Sequence, residues 1–208
     1  MALGTYAALQ TAVANWLDRS DLTDRIQEFI DLSEARINRN LRLRLMETTA
    51  TGTLVAGTRD YALPTDYIQA RTLHLTLETI VPLAYVTPEI MNRIWAGSTG
   101  GTPETFTIIG ENFRLGPAPA TADGYSMLYY KRIPALNPAA TTNSMLTYNP
   151  DIYLYGSLLE AEPFLMNDQR VQLWATAYRQ AVNDLQVQDD KDRHSGSELR
   201  VMNTSGYY

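Results

Sequence analysis

Catalysis or metal binding needs a nucleophile, a base or a ligand set, and this chain of 208 residues offers few candidates. Histidine occurs only at His74 and His194. The first lies in a stretch that reads as a strand and the second near the C-terminal end, so each reads more simply as structural or exposed than as a base. There is no cysteine, which excludes disulfides, thiolate nucleophiles and cysteine metal sites. No HExxH, EF-hand loop, Walker loop, GxGxxG or GxSxG occurs, and the glycines of Gly97 to Gly101 have the wrong spacing for a phosphate loop. Four acids, Asp66, Glu78, Glu104 and Asp123, fall in one turn-rich region and could face each other across a groove, as glycosidase carboxylates do. Solvated turn acids are the plainer reading. No catalytic residue, cofactor or metal is expected.

Charged and aromatic residues carry a different kind of chemistry, that of association. Of seventeen basic residues only Lys131 and Lys191 are lysines, leaving fifteen arginines, and there are thirteen tyrosines. Protein interfaces favour Arg and Tyr and deplete Lys, although codon bias and strand propensity give the same counts. Arg36, Arg39, Arg42 and Arg44 crowd the end of a predicted helix. Arg36 suits the helix dipole and a local pair with Glu34, whereas Arg42 and Arg44 are candidates for contacts between subunits. Asp189 and Asp190 stand near the end of the last predicted helix, where negative charge is disfavoured. Either the helix has ended there or a partner's arginines compensate. The C-terminal stretch adds Arg200 and the aromatic pair Tyr207-Tyr208 to this interface set. A net charge of -6 argues against general nucleic-acid binding and suits a surface that DNA passes without sticking. No signal-peptide pattern opens the chain and no apolar run approaches the roughly 20 residues of a membrane span, so a protein made in the cytoplasm with no membrane partner is expected.

The elements that must position these residues read as helix, helix, β-rich segment, helix, helix, tail. Tyr6, Leu9, Val13, Trp16 and Leu17 share a helical face, and after a break at Asp18, Ser20 and Asp21, with Ser20 as N-cap, a second helix carries Leu22, Ile26, Phe29, Ile30, Ser33, Ile37 and Leu41 on one face and ends near Leu43. Alternating stretches predict strands over 48–55, 59–62, 71–77, 106–109, 113–115 and 125–133, with a hairpin turn at Gly110-Glu111-Asn112. Thr87 and Pro88 open a short helix. Residues 134–149 read as a polar connector. The helix from Asp151 is apolar nearly all round and so should be buried on more than one side, with Pro163 kinking or ending it. Asn167 or Asp168 caps a last helix whose seam is Val171, Trp174, Tyr178, Ala181 and Leu185. The expected fold is α+β: a four-helix bundle of N-terminal (1–46) and C-terminal (135–190) helix pairs, a β-rich insertion (47–134) and an extended, flexible C-terminal tail (191–208).

Tyr61-Ala62-Leu63-Pro64-Thr65-Asp66-Tyr67 resembles the YxLPxDY element of a head-to-tail adaptor family of tailed bacteriophages, best known from podophages. The likeness continues in order through Leu83 to Glu89, Gly101-Thr102-Pro103, Leu115 to Pro119, Tyr129 to Leu136 and Asp151 to Ala161, with Trp174 and Tyr178 fitting the next helix. This resemblance implies a structural virion protein of the neck, assembled in the host cytoplasm. It implies a ring of generally twelve copies between the portal and the tail nozzle or stopper, with genomic DNA passing through without specific binding and the C-terminal extension docking on the portal. Another neck ring protein, a stopper or tail terminator, is the nearest alternative. A carbohydrate-binding module is a third, because a Tyr-rich β unit can stack sugars.

Overall fold

A computed structural model describes residues 3–97, 100–165 and 170–193. Among them are six α-helices and eight strands: α1 (Tyr6–Leu17), α2 (Thr23–Asn40), β1 (Glu47–Thr53), β2 (Asp60–Ala62), β3 (Tyr67–Thr76), β4 (Ile80–Pro82), β5 (Ala84–Tyr85), α3 (Pro88–Ile94), β6 (Thr105–Ile109), β7 (Asn112–Gly116), β8 (Gly124–Lys131), α4 (Ser144–Tyr148), α5 (Pro150–Leu165) and α6 (Val171–Arg193). The chain divides into two compact units. Among the described residues, those within 3–45 and 133–193 form a helical unit, and those within 46–132 form a sheet unit.

In the helical unit α1 ends where Asp18 adopts the left-handed conformation (φ 56°), one that Asp tolerates better than most residues. Ser20 does not cap α2. Its backbone carbonyl accepts from the Thr23 hydroxyl, and Leu22 holds the cap position without a side-chain bond. The helix stops at Asn40, short of Leu43, because Leu41 turns to extended backbone. Burial of Ile26, Phe29, Ile30, Ser33 and Ile37 follows the sequence pattern.

The expectation of a four-helix bundle carrying a β-rich insertion fails. Helix α5 packs against α1, α2, α4 and α6, while α6 makes no comparable contact with α1 or α2 among the described residues. The helices therefore cluster around one central member instead of closing a ring of four. The reason lies in α5 itself, whose buried residues Ile152, Tyr153, Leu154, Ser157, Leu158 and Ala161 leave no wet stripe. A fifth helix of the unit, α4, forms inside the expected connector, its N-terminus capped by the Asn143 side chain accepting from Leu146 N–H at 2.8 Å. The seam expected of α6 narrows to Trp174 and Tyr178, its two fully buried residues. Pro163 lies within the last turn of α5, and the proposed caps Asn167 and Asp168 lie outside the described residues. Nor does the expected tail begin at Lys191, since α6 continues through Arg193.

The sheet unit is more than an appendage. It holds two four-stranded sheets, ordered β1-β8-β3-β4 and β2-β7-β6-β5. One core serves both, drawing Leu73, Leu75 and Met127 from the first and Phe106, Phe113 and Leu115 from the second. All six expected strands are present; β4 and β5 are additional. The β6–β7 hairpin turns at Gly110-Glu111, with Gly110 at φ 60° in the first turn position, where a II′ turn favours glycine.

Two positions fix the helical unit. At Gly156, α5 approaches α2 so closely that an added Cβ would collide with Ser33 Oγ and press on Tyr178. Glu34 of α2 is buried (6% exposed), and Oε1 accepts from Leu136 N–H at 2.9 Å and from Tyr153 O–H at 3.1 Å. Burial raises its carboxyl to about 7 against the lowering effect of those two bonds, with Asp31 nearby adding to the rise. Tyr153 is likewise pushed up, by burial first and Glu34 second.

Gly156→Ala should lower stability by about 1–3 kcal/mol, although Gly→Ala inside a helix ordinarily gains about 1 kcal/mol. Ser33→Ala in the same chain should recover much of the loss, and additive effects in a double-mutant cycle would contradict the close approach. The Glu34 effect has a definite sign. The folded state holds that proton more tightly than the unfolded chain, so its contribution is full below the unfolded value near 4.5 and is lost as pH rises through about 7. Between about pH 5 and about pH 8, urea unfolding should show wild type losing on the order of 3 kcal/mol relative to Glu34→Gln.

Candidate assembly interface

The sequence-predicted arginines and acids are brought together within one chain. Arg42 Nη1 donates to the carbonyl oxygens of Asn38 at 2.9 Å and Leu41 at 2.6 Å, closing the end of α2 in the way a cation suits a helix C-terminus. Arg44 donates its backbone N–H to Asp189 Oδ1 at 2.8 Å and its Nη2 to Asp192 Oδ2 at 3.1 Å. Arg193 Nε donates to Asp189 Oδ2 at 2.7 Å. The helix has not ended at Asp189, and arginines of the same chain supply the compensation there. Asp190 is exposed on the same helix. Arg36 does not pair with Glu34; it reaches Glu160 of α5 and lies over the Tyr178 ring, 5.9 Å from its centroid. Arg200, Tyr207, Tyr208 and His194 lie outside the described residues.

Beside this cluster runs an open groove of about 420 Å³ between the end of α4 and the last turns of α6, lined by Arg44, Leu45, Tyr148, Leu185, Asp189 and Asp192. Tyr148 stands on its rim, 76% exposed. A second groove, about 560 Å³, lies in the sheet unit between the 62–67 loop and the β6–β7 turn, with Arg132 at its wall.

The residues of the Tyr61–Tyr67 stretch are occupied in holding that loop. The Tyr61 hydroxyl accepts from Val55 N–H at 2.9 Å and donates toward Thr58 O at 2.9 Å, while its ring stacks on Phe113 at 5.3 Å. Asp66 Oδ1 accepts from the Tyr129 hydroxyl at 2.8 Å, and its carbonyl accepts from Arg132 N–H at 2.7 Å. The Tyr67 hydroxyl accepts from Ala70 N–H at 2.8 Å and its ring stacks on Tyr129. Burial, helped by Asp66, pushes Tyr129 up to about 12.

The acids weighed as a carboxylate pair occupy separate places. Asp66 bonds Tyr129, Asp123 accepts from the Thr121 hydroxyl at 2.6 Å, Glu78 sits in the β3–β4 turn, and Glu104 precedes β6. His74 is in β3, opposite Pro82 and Ser126. Among the described residues no group of three or more His, Cys, Asp or Glu is placed to hold a metal ion. The acid with the largest upward shift, Glu34, lies in the helical core and lines neither groove. Its burial at an i, i+4 position relative to Ile30 is visible in the sequence, but its partners 102 and 119 residues away are not.

A family model for the SU10 adaptor protein matches residues 4–202, almost the whole chain and both units. The chain belongs to the SU10 adaptor protein family. That makes it a phage head–tail adaptor by family, as the Tyr61–Tyr67 resemblance implied. No curated protein matches it. SU10 adaptors are structural proteins of the virion neck, which implies association with other neck proteins. No helix among the described residues is long and apolar enough to cross a membrane.

If Asp189 anchors the end of α6, Asp189→Asn should release its last turn at a local cost of about 1 kcal/mol. Hydrogen exchange at residues 190–193 should then quicken severalfold while the urea midpoint of the whole chain holds; unaltered exchange there would contradict the anchor.

Proposed function

We propose that the chain forms a ring, twelve copies around, at the head–tail junction of a podophage-type virion, seated between the portal and the tail nozzle or stopper with genomic DNA passing through its centre. The family match supports the adaptor role. The observation that carries the ring is the exposed apolar surface. In the helical unit Trp16, Leu32, Phe164 and Leu173 are 43%, 51%, 49% and 68% exposed. In the sheet unit Ile80, Tyr85 and Ile94 are 69%, 58% and 54% exposed. Ring closure needs two different surfaces that meet head to tail, and the reading assigns one to each unit. The acidic chain favours passage of DNA over binding. Arg42, Arg44, Asp190 and the 194–208 segment, with Arg200, Tyr207 and Tyr208, complete the proposed interface. Against the carbohydrate-binding reading, the sheet-unit rings face one another: Tyr61 on Phe113, Tyr67 on Tyr129, and Tyr85 edge-on to Phe106.

Electron microscopy of the chain mixed with the portal of its own virus should show a twelve-fold ring on the portal. A chain that stays monomeric and ignores the portal would count against the reading, and a ring on the tail-side tip alone would favour a terminator. Leu173→Asp and Ile94→Asp should each leave the thermal midpoint unchanged and weaken assembly at least about tenfold, the cost of a buried apolar hot spot.

A further inference from the structure

Sheet edges offer unpaired backbone groups, and proteins guard them with short strands, proline, charge or a bulge. Three of the four edges in the sheet unit are guarded. β4 is three residues long and ends in Pro82, β2 is three residues long and opens with the charged pair Asp60–Arg114, and β5 has two residues. β1 differs from all of them. It is seven residues long and pairs with β8 residue for residue, without the register shifts that interrupt β3 against β8. It contains no proline and no lysine or arginine. After Glu47, which pairs with Arg71, it reads Thr48-Thr49-Ala50-Thr51-Gly52-Thr53, with Thr49, Thr51 and Thr53 exposed. An edge of this length with an unbroken register and no charge after Glu47 favours addition of another strand.

The chain contains a segment of matching length. Glu198-Leu199-Arg200-Val201-Met202-Asn203-Thr204 is seven residues, as long as β1, and lies between Gly196-Ser197 and Ser205-Gly206. It has no proline or glycine and begins with charged and apolar residues in alternation, the pattern of a strand with one face covered. The four residues 194–197 separate it from Arg193, the last residue described. We propose that residues 198–204 of one copy add as a fifth strand along β1 of the next copy. Backbone hydrogen bonds supply the attraction, and the small threonine side chains let Leu199 and Val201 lie flat against the sheet. The giving and receiving surfaces differ, so the contact runs head to tail. It thereby deepens the proposed ring and rests on that reading for its direction.

Because the chain lacks cysteine, single cysteines report the contact without background. Full-length Thr51→Cys would be oxidised with size-tagged full-length Leu199→Cys, Arg200→Cys or Val201→Cys, alone and on the portal. The expected result is a mixed disulfide with 199 and 201 at least about fivefold stronger than with 200, the alternation a strand imposes, and weaker for all three when Ile80→Cys replaces Thr51→Cys. No mixed disulfide under either condition, an equal yield at all three positions, or a predominant Thr51→Cys homodimer would overturn the proposal, the last by assigning β1 to β1. In a Thr51→Cys/Val201→Cys double variant, closure within a single chain would overturn it as well. Microscopy of the same samples separates the two readings. Rings without the cross-link sink the strand addition and leave the ring standing; the cross-link without rings does the reverse.

Discussion

The carboxylate of Glu34 joins stretches of chain that the sheet unit separates in sequence. It belongs to α2, but its hydrogen bonds go to Leu136 and Tyr153, and the Tyr153 hydroxyl also takes one from Asn143 at 2.7 Å. Asn143 in turn donates to Pro134 O at 2.8 Å and caps α4. One helical turn on from Glu34, Asn38 Oδ1 accepts from Ile133 N–H at 2.8 Å. A single polar network thus fixes where the chain re-enters the helical unit and seats α5 against α2. Apart from exposed Pro134, its residues are buried or half-buried, where a polar atom without its partner costs about 1–3 kcal/mol. The network specifies register as much as it stabilises. Around it, α5 supplies the apolar contacts, and Gly156 leaves room for the Ser33 and Tyr178 side chains where an added Cβ would collide.

The residues that marked the family turn out to be the residues that shape a loop. The hydroxyl and carboxyl groups of Tyr61, Asp66 and Tyr67 are spent on Val55, Thr58, Tyr129 and Ala70. The spacing is required because Tyr61 and Tyr67 must reach opposite sides of one turn, one ring onto Phe113 and the other onto Tyr129. Recognition of the family thus ran through structural residues, and it says little about which side chains touch a partner.

The sequence was most legible where a period was long. Six strands, the β6–β7 turn, α3 and the all-round burial of α5 follow from alternation, a Gly turn, Thr-Pro and the lack of a polar stripe. Misses came from short elements and from pairings at a distance. β4 and β5 have three and two residues, too few to show a period, and α4 has five, inside a stretch read as a connector because of its proline and asparagines. The last turn of α6 lies past Asp190, where the apolar period stops, and Arg193 and the Arg44 backbone N–H offset the unfavourable acid at Asp189. Four helical segments in two pairs satisfy a four-helix arrangement in sequence. Only the geometry around α5 shows that one helix takes the centre.

These internal commitments change what the arginine and tyrosine surplus means. Arg19, Arg25, Arg36, Arg44, Arg71, Arg114 and Arg193 each hold an acid of the same chain. Most such pairs are exposed and contribute little stability individually, but each neutralises charge within the chain. Tyr61, Tyr67, Tyr125, Tyr129, Tyr153 and Tyr178 pack inside their own units. A composition typical of interfaces is therefore largely consumed by the fold. Much of what the described residues still expose for association is apolar or backbone in character: Leu173 and Phe164 on the helices, Ile80 and Ile94 on the sheet unit, and the edge of β1. Contacts of that kind are less sensitive to salt than ion pairs. That character fits the proposed ring, whose seams would have to hold beside a highly charged polymer.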